Sequence, residues 1–375
     1  MLSDTRNSIS QRLRGLAPAG YWWTLVLVFL AINVPTLYNG HNWGDDFAQY
    51  LRHAQNILEG KPYADGVMLD KGPVSPVGFP LMLAPLLLLG GGDFAVLKVY
   101  NIVFWVLYVW AITGLARRFA AERESLLVAA CFFSSPFVFI FKQNILTDIP
   151  FVAVLTAAVG CFMRYGDRRR ENASAAHGWF WAGVGFAAGG LLMRWSGAIL
   201  FLALLVTPGV LLKRRKEFLW VAAALALCGG LSLMAGASFL FHLKEARLSW
   251  VEWGLAVLAN IRAVFMDMLI WLFPLKTELS DFLLGGIGEA GLWLGSIFAA
   301  GLVLDFLVRL RRKNLELDYC FLMLYFGAMV LWPISGGGRY VLPIVGLVFL
   351  QAMRGWRQIF PQRWAGRILE MLLIL

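Results

Sequence analysis

The chain is a series of long apolar runs separated by shorter polar segments of two alternating kinds. One kind is rich in arginine and lysine; the other carries carboxylates, glycine and proline. A helix that crosses a bilayer needs about 20 apolar residues. Runs near that size cover 21–39, 94–115, 125–141, 149–163, 178–193, 196–212, 218–241, 290–308, 317–333 and 340–353, and another begins at Ile368 and meets the chain end. The pattern predicts an all-α bundle of about ten or eleven membrane-spanning helices. It is read as one domain over 1–375, with truncation at the C-terminus as an expectation. The basic N-terminus leads into a long first run with no small-residue cleavage site behind it. This predicts a retained helix rather than a removed signal peptide.

Two connections are long, 40–93 and 242–289. In the first, Phe47, Tyr50, Leu51, Ala54 and Leu58 recur at helical spacing, which predicts a helix over 45–58 ended by Gly60 and Pro62. Beyond it, Pro73, Pro76, Pro80 and Pro85 are expected to break the chain into turns and short pieces. The apolar stretch Leu81 to Leu89 is too short to span and is expected at the interface. In the second connection, Trp250 to Phe273 is apolar but interrupted by Glu252, Arg262 and Asp267. A single crossing there would move the basic run Arg309 to Lys313 to the side opposite its counterparts. It is therefore expected as an amphipathic helix along the outer interface, anchored by Trp250, Trp253 and Trp271.

Composition agrees with the pattern. Hydrophobic residues make up 59% and charged residues 15%, with a mean hydropathy of +0.68, whereas soluble domains carry roughly 45–50% apolar and about 25% charged residues. Lys and Arg outnumber Asp and Glu by 33 to 23, a net charge of +10. With the N-terminus in the cytoplasm and each run crossing once, every basic cluster falls on the cytoplasmic side, as membrane insertion favours. The basic balance thus reports topology, and no aromatic-interleaved motif argues for nucleic acid. The four cysteines are scattered in or at the edges of runs, without disulfide or metal spacing.

The candidate chemistry lies on the opposite side. Asp45 and Asp46 follow the first run as an adjacent pair. A carboxylate at a water–membrane boundary can serve as a general base while its neighbour orients a hydroxyl or a metal; the same residues also suit a helix N-terminus. Asp148, in KQNILTDIPF, has the same two readings. Arg339 and Tyr340 follow a run of three glycines, and Arg194 sits at a turn on this side. Arginines placed against the positive-inside bias suit an anionic partner such as phosphate, or else snorkel at the interface. Lys71 and Lys142 could neutralise the same charge or be surface residues. His41 and His53 flank the acidic pair, but no spaced ligand set accompanies them, so a divalent metal is left open. No glycine-rich nucleotide loop or nucleophile elbow is present.

These segments, in order, resemble the GT-C membrane glycosyltransferases, in particular the protein mannosyltransferase and aminoarabinose transferase group. The resemblance rests on the acidic pair after the first span, LTDIPF, the hairpin GWFWAGVGFAAGGLLMRWSGAI and GGGRYVLPIVGL, and covers most of 20–350. It implies a polyprenyl-phosphate-sugar donor and an acceptor glycan, lipid or protein. The implied site lies at the extracytoplasmic face of a bacterial inner membrane, with no established cofactor. By this resemblance Asp45 is the base on the acceptor, Asp46 stands where the family usually has Glu, Asp148 is the second acidic position and Arg339 meets the lipid phosphate. The implied reaction is an inverting transfer. A transporter or flippase for a lipid-linked sugar is the alternative from another class, though it would call for charges at the midplane of the spans. An O-antigen ligase or polymerase-type enzyme is a third reading.

Overall fold

The computed structural model describes residues 18–40, 45–66, 75–171, 173–207, 215–234, 249–272, 287–312, 315–331 and 340–359. Among these the regular elements are all helical. Helix α1 is Pro18–Asn33, and the loop helices are α2, Asp45–Leu58, and α3, Gly78–Gly90. They are followed by α4 Phe94–Ala116, α5 Glu122–Phe133, α6 Pro136–Phe141, α7 Asp148–Glu171 and α8 Ala173–Met193. A short 3-10 turn, Trp195–Gly197, leads into α9 Ala198–Val206. The remaining helices are α10 Arg215–Met234, α11 Trp250–Leu272, α12 Ile287–Arg311, α13 Leu317–Leu331 and α14 Leu342–Ile359.

Most expected segments are helices at the expected places, with two differences of substance. Of the stretch expected to break at its prolines, the part holding Pro80 and Pro85 is one continuous helix, α3; Pro76 precedes it, and Pro73 lies outside the described residues. Pro80 lies in its first turn, where the missing N–H has no intrahelical partner to lose. Pro85 is interior, and its cost is offset by burial of Phe79, Leu83 and Ala84 against α2, α4 and α8. The helix stops at Gly91, whose left-handed φ of 55° lets its N–H reach the Leu87 carbonyl. Conversely, the run 125–141 divides into α5 and α6 at Ser134, Ser135 and Pro136, because the residue before a proline disfavours helical geometry.

Among the described residues, three helices are long and apolar enough to cross a membrane: Phe94–Ala116, Asp148–Arg169 and Lys216–Met234. Shorter apolar helices, such as Leu317–Leu331, accompany them. The segment expected along the outer interface is a single helix, α11. It packs on α13 and α14, with the Asn260 side-chain amide donating to the Val330 carbonyl at 3.3 Å. The side chains of Trp250 and Trp271 lie outside the described part.

Helix α7 is the centre of the bundle. It packs against α4, α8, α13 and α14, and 83% of its most apolar stretch is buried, against 17% for α10. An apolar surface on all sides suits a core helix. Its small residues, Ala153, Ala157, Ala158 and Gly160, let neighbouring backbones approach. On α8, a Cβ at Gly190 would come within 2.9 Å of Leu155, so glycine sets the closeness of the α7–α8 contact. The N-terminus of this least movable helix is Asp148.

One end of the bundle gathers the basic segments. Arg118 forms a two-pronged pair with Asp167 at 2.9 Å and meets Glu316 at 3.1 Å. Arg357 pairs with Glu124, and Arg169 with Glu217. Asp305, 1% exposed, accepts from Tyr319, Arg354 and Gln358 and lies 3.4 Å from Arg309. These pairs bring the arginines at the C-terminal ends of α4, α7, α12 and α14 to a common end. Removing one member of a buried charge pair strands the other and costs about 3–5 kcal/mol. Asp305→Ala, which leaves Arg354 and Arg309 without their shared carboxylate, is expected to lower stability by that order. Thermal unfolding in detergent measures it; an unchanged midpoint would show that the network contributes nothing.

Candidate functional site

The opposite end assembles from α2, the 142–147 connection, the start of α7, the turn after α8, and α13 and α14. Helix α2 buries Phe47, Tyr50 and Ala54. Edge-to-face ring contacts run from Tyr50 to Phe79 at 4.9 Å and from Phe79 to Tyr100 at 5.3 Å, tying α2 through α3 to α4. Such pairs add about 0.5–1.5 kcal/mol each beyond the area they bury.

Helix α4 in turn holds the connection that delivers Asp148. The Asn101 amide donates to the carbonyls of Asn144 at 2.8 Å and Lys142 at 3.2 Å. The Tyr100 hydroxyl donates to the Leu146 carbonyl at 3.0 Å and accepts from the Leu146 N–H at 2.9 Å. The connection is also fastened to the end of α1. Lys142 Nζ donates to Asn33 Oδ1 at 3.0 Å and to the Thr36 hydroxyl, and Gln143 donates to the Thr36 carbonyl at 2.6 Å. Lys142 is 1% exposed, so its ammonium works as a clasp between α1 and this connection rather than standing open at the surface.

Asp148 is 2% exposed in its side chain and accepts from Arg194 Nη1 at 2.7 Å. The Arg194 guanidinium, 16% exposed, lies over the Tyr340 ring at 4.7 Å and the Phe151 ring at 5.6 Å. The stacked cation and its ion pair together fix the plane of the guanidinium. Tyr50 shares a hydrogen bond with Thr147 and lies within electrostatic reach of Asp46, Arg194 and Asp148. Burial first, and the Asp46 carboxylate second, push its phenol far above the ordinary range, so Tyr50 keeps its proton. Tyr325 shares a hydrogen bond with Ser196 and faces the same Arg194, Asp148 and Tyr340. Asp46 lies one helical turn before Tyr50, on the same face of α2.

Of the residues expected from sequence, Asp148, Arg194 and Tyr340 therefore meet in one cluster, which Asp46 approaches through Tyr50, while Lys142 has a separate position against α1. Asp45 opens α2, but its side chain lies outside the described part, as do Lys71, Arg339 and His41. Helical spacing places Tyr50 on the apolar face of α2, and Thr147 precedes Asp148 in LTDIPF, but neither pattern shows that the two share a hydrogen bond near Arg194. Tyr325 carried no signal, being one aromatic in an apolar run.

His53 makes its contacts with Tyr63. Its ring is fully buried, stacks on Tyr63 at 4.0 Å, and places Nδ1 2.7 Å from the Tyr63 carbonyl. Among the described residues no group of three or more His, Cys, Asp or Glu could hold a metal. Burial pushes the His53 pKa below the ordinary imidazole value, with the Tyr63 hydrogen bond opposing. A folded-state pKa below the unfolded one gives stability that is present above about pH 6.5 and is lost as pH falls through the folded value. The melting temperature is thus expected to fall on acidification from neutrality, and less steeply in His53→Phe. Equal slopes in the two proteins would remove His53 as the cause.

Residues 74–240 match the family model described as dolichyl-phosphate-mannose-protein mannosyltransferase, a stretch that includes Asp148 and Arg194. No curated protein matches the chain in sequence. Among solved structures, ArnT from Cupriavidus metallidurans is similar in its apo state, with a TM-score of 0.55 at 16% identity over 94% of this chain and 62% of that one. The same protein bound to undecaprenyl phosphate gives 0.56 at 16%, over 95% and 63%. The apo oligosaccharyltransferase of Archaeoglobus fulgidus gives 0.53 at 12%, over 96% and 52%. The chain thus spans roughly half to six-tenths of the length of these structures. In fold the chain is similar to these structures, and the stretch that matches the mannosyltransferase family model holds two of the motifs noted in its sequence.

Proposed function

We propose that the chain is a glycosyltransferase that moves a sugar from a polyprenyl-phosphate donor to an acceptor hydroxyl at the extracytoplasmic face of the membrane. The observation that carries this reading is the meeting of Asp148, Arg194 and Tyr340, from three separate segments, at the end of the bundle opposite the arginine network, with Asp46 within electrostatic reach of Tyr50 beside them. A carboxylate and a fixed guanidinium in one partly buried cluster are what the reaction needs: a base for the acceptor and a countercharge for the leaving phosphate. The bound undecaprenyl phosphate of the similar ArnT structure supports a lipid-phosphate donor.

In this reading the acidic pair Asp45 and Asp46 supplies the base. It takes the proton of the acceptor hydroxyl as that oxygen attacks the anomeric carbon, and the bond from that carbon to the phosphate oxygen breaks. Attack from the face opposite the leaving group inverts the anomeric centre. The polyprenyl phosphate departs with the electron pair, and its charge is met by Arg194, with Arg339 and Lys71 as further cations. Asp148, already paired with Arg194, acts as a positioning residue that aims the guanidinium. The test is to incubate purified protein with a panel of polyprenyl-phosphate sugars and acceptors and to measure released polyprenyl phosphate. Release with one sugar supports the proposal; no release with any, from folded protein, sinks it.

A further inference from the structure

At the basic end of the bundle, Arg164 differs from the described arginines that pair with carboxylates. Arg118, Arg169, Arg354 and Arg357 all meet carboxylates. Arg164 makes no hydrogen bond or ion pair with any described residue. Its guanidinium lies between two tryptophan rings, 4.7 Å from Trp179 on α8 and 5.6 Å from Trp110 on α4. Arg117 and Arg168 are near enough to repel it. A shallow cleft with about 10 Å³ of water-sized space lies beside it, lined by Gly114, Gly160, Arg118 and both tryptophans. The guanidinium lies across Gly114, where a Cβ would come within 2.8 Å of its Nη2.

Two ring faces offset part of the cost of holding a cation away from bulk water. They offer nothing to its in-plane N–H groups, and the neighbouring arginines add repulsion. A planar fork of donors held flat, beside a cleft and near other cations, suits an anion with several oxygens. The depth agrees. Arg164 is seven residues before the end of α7, about 10 Å along the helix axis. Trp110, 40% exposed, faces outward at that level, as tryptophans do where headgroups meet acyl chains.

We propose that Arg164, clamped by Trp110 and Trp179, is the anchor of a site for a phosphate group at the basic end of the bundle, separate from the cluster around Asp148. An anionic phospholipid would set its phosphate on Arg164, with its acyl chains along the outer surface beside the exposed Trp110. A free phosphate would use the same donors. The site does not depend on the glycosyl-transfer reading, and its test needs no sugar substrate.

The experiment measures lipid retained by the purified full chain in native mass spectra after exchange into phosphatidylglycerol or phosphatidylcholine. Wild type is expected to keep phosphatidylglycerol in preference to phosphatidylcholine, and Arg164→Gln to lose that preference by about tenfold. Gly114→Leu keeps the charge but displaces the guanidinium, and is expected to show the same loss. A parallel arm follows the melting temperature on adding inorganic phosphate. A phosphate-induced rise that needs Arg164, without lipid selectivity, assigns the site to free phosphate. Arg164→Lys, charged but unable to lie flat between the rings, gives the reading should the glutamine variant not fold. Equal lipid retention and equal phosphate response across wild type and these variants would overturn the site.

Discussion

Asp46→Asn is expected to lower sugar-transfer turnover by about 10²–10⁴-fold, the range general-base catalysis contributes, with fold and donor binding preserved. The amide has nearly the shape of the carboxylate but cannot accept the acceptor's proton. Asp46 shares a helix face with Tyr50 and lies within electrostatic reach of its phenol, so it lies beside the cluster that holds Arg194 and Asp148. Asp45 is one residue earlier, about 100° around the helix. Substitution at each position separates their roles. A turnover loss confined to Asp46→Asn makes Asp46 the base, and one confined to Asp45→Asn restores the assignment that the family resemblance implies. Full turnover in both variants would remove the acidic pair from the mechanism.

The second large effect concerns Asp148 and Arg194. Their contact is 2.7 Å, with exposures of 2% and 16%. Either single alanine variant leaves one charge partly buried without its partner, at a cost of about 3–5 kcal/mol. Removing both costs less than the sum, because no charge is stranded; the coupling is expected within about 0.5–3 kcal/mol. Unfolding midpoints of the two single variants and the double variant measure it, and strict additivity would show that the contact is energetically idle. Activity should separate the two residues further. Asp148→Asn keeps an acceptor for Arg194 and is expected to retain more turnover than Arg194→Gln, which removes the cation proposed to meet the leaving phosphate.

Local pattern carried much of the architecture. The recurrence of Phe47, Tyr50, Ala54 and Leu58 predicts a helix over 45–58, and α2 is Asp45–Leu58. The basic clusters expected to share one side do meet, through Arg118, Arg354, Arg357 and their carboxylates. Where the pattern misled, a neighbour overrode it. Pro85 reads as a helix breaker, yet α3 continues through it because Phe79, Leu83 and Ala84 are buried on α2, α4 and α8. Lys142 has the sequence of a surface cation on a polar connection. Only the approach of Asn33 and Thr36, more than one hundred residues earlier, makes it a clasp.

The sequence by itself determined that the chain is a helical membrane protein with a basic end and an acidic end. Whether a segment prefers lipid or water is a property of that segment alone, and so is written in its composition and period. Which side chains face one another is not. The pairing of Asp148 with Arg194, the entry of Tyr325 and the place of Asp46 near Tyr50 depend on the rotation and depth of each helix. Those are set only when α7 is packed on all sides at once, because a helix turned by one residue carries its side chains through about 100° and presents a different set to its neighbours.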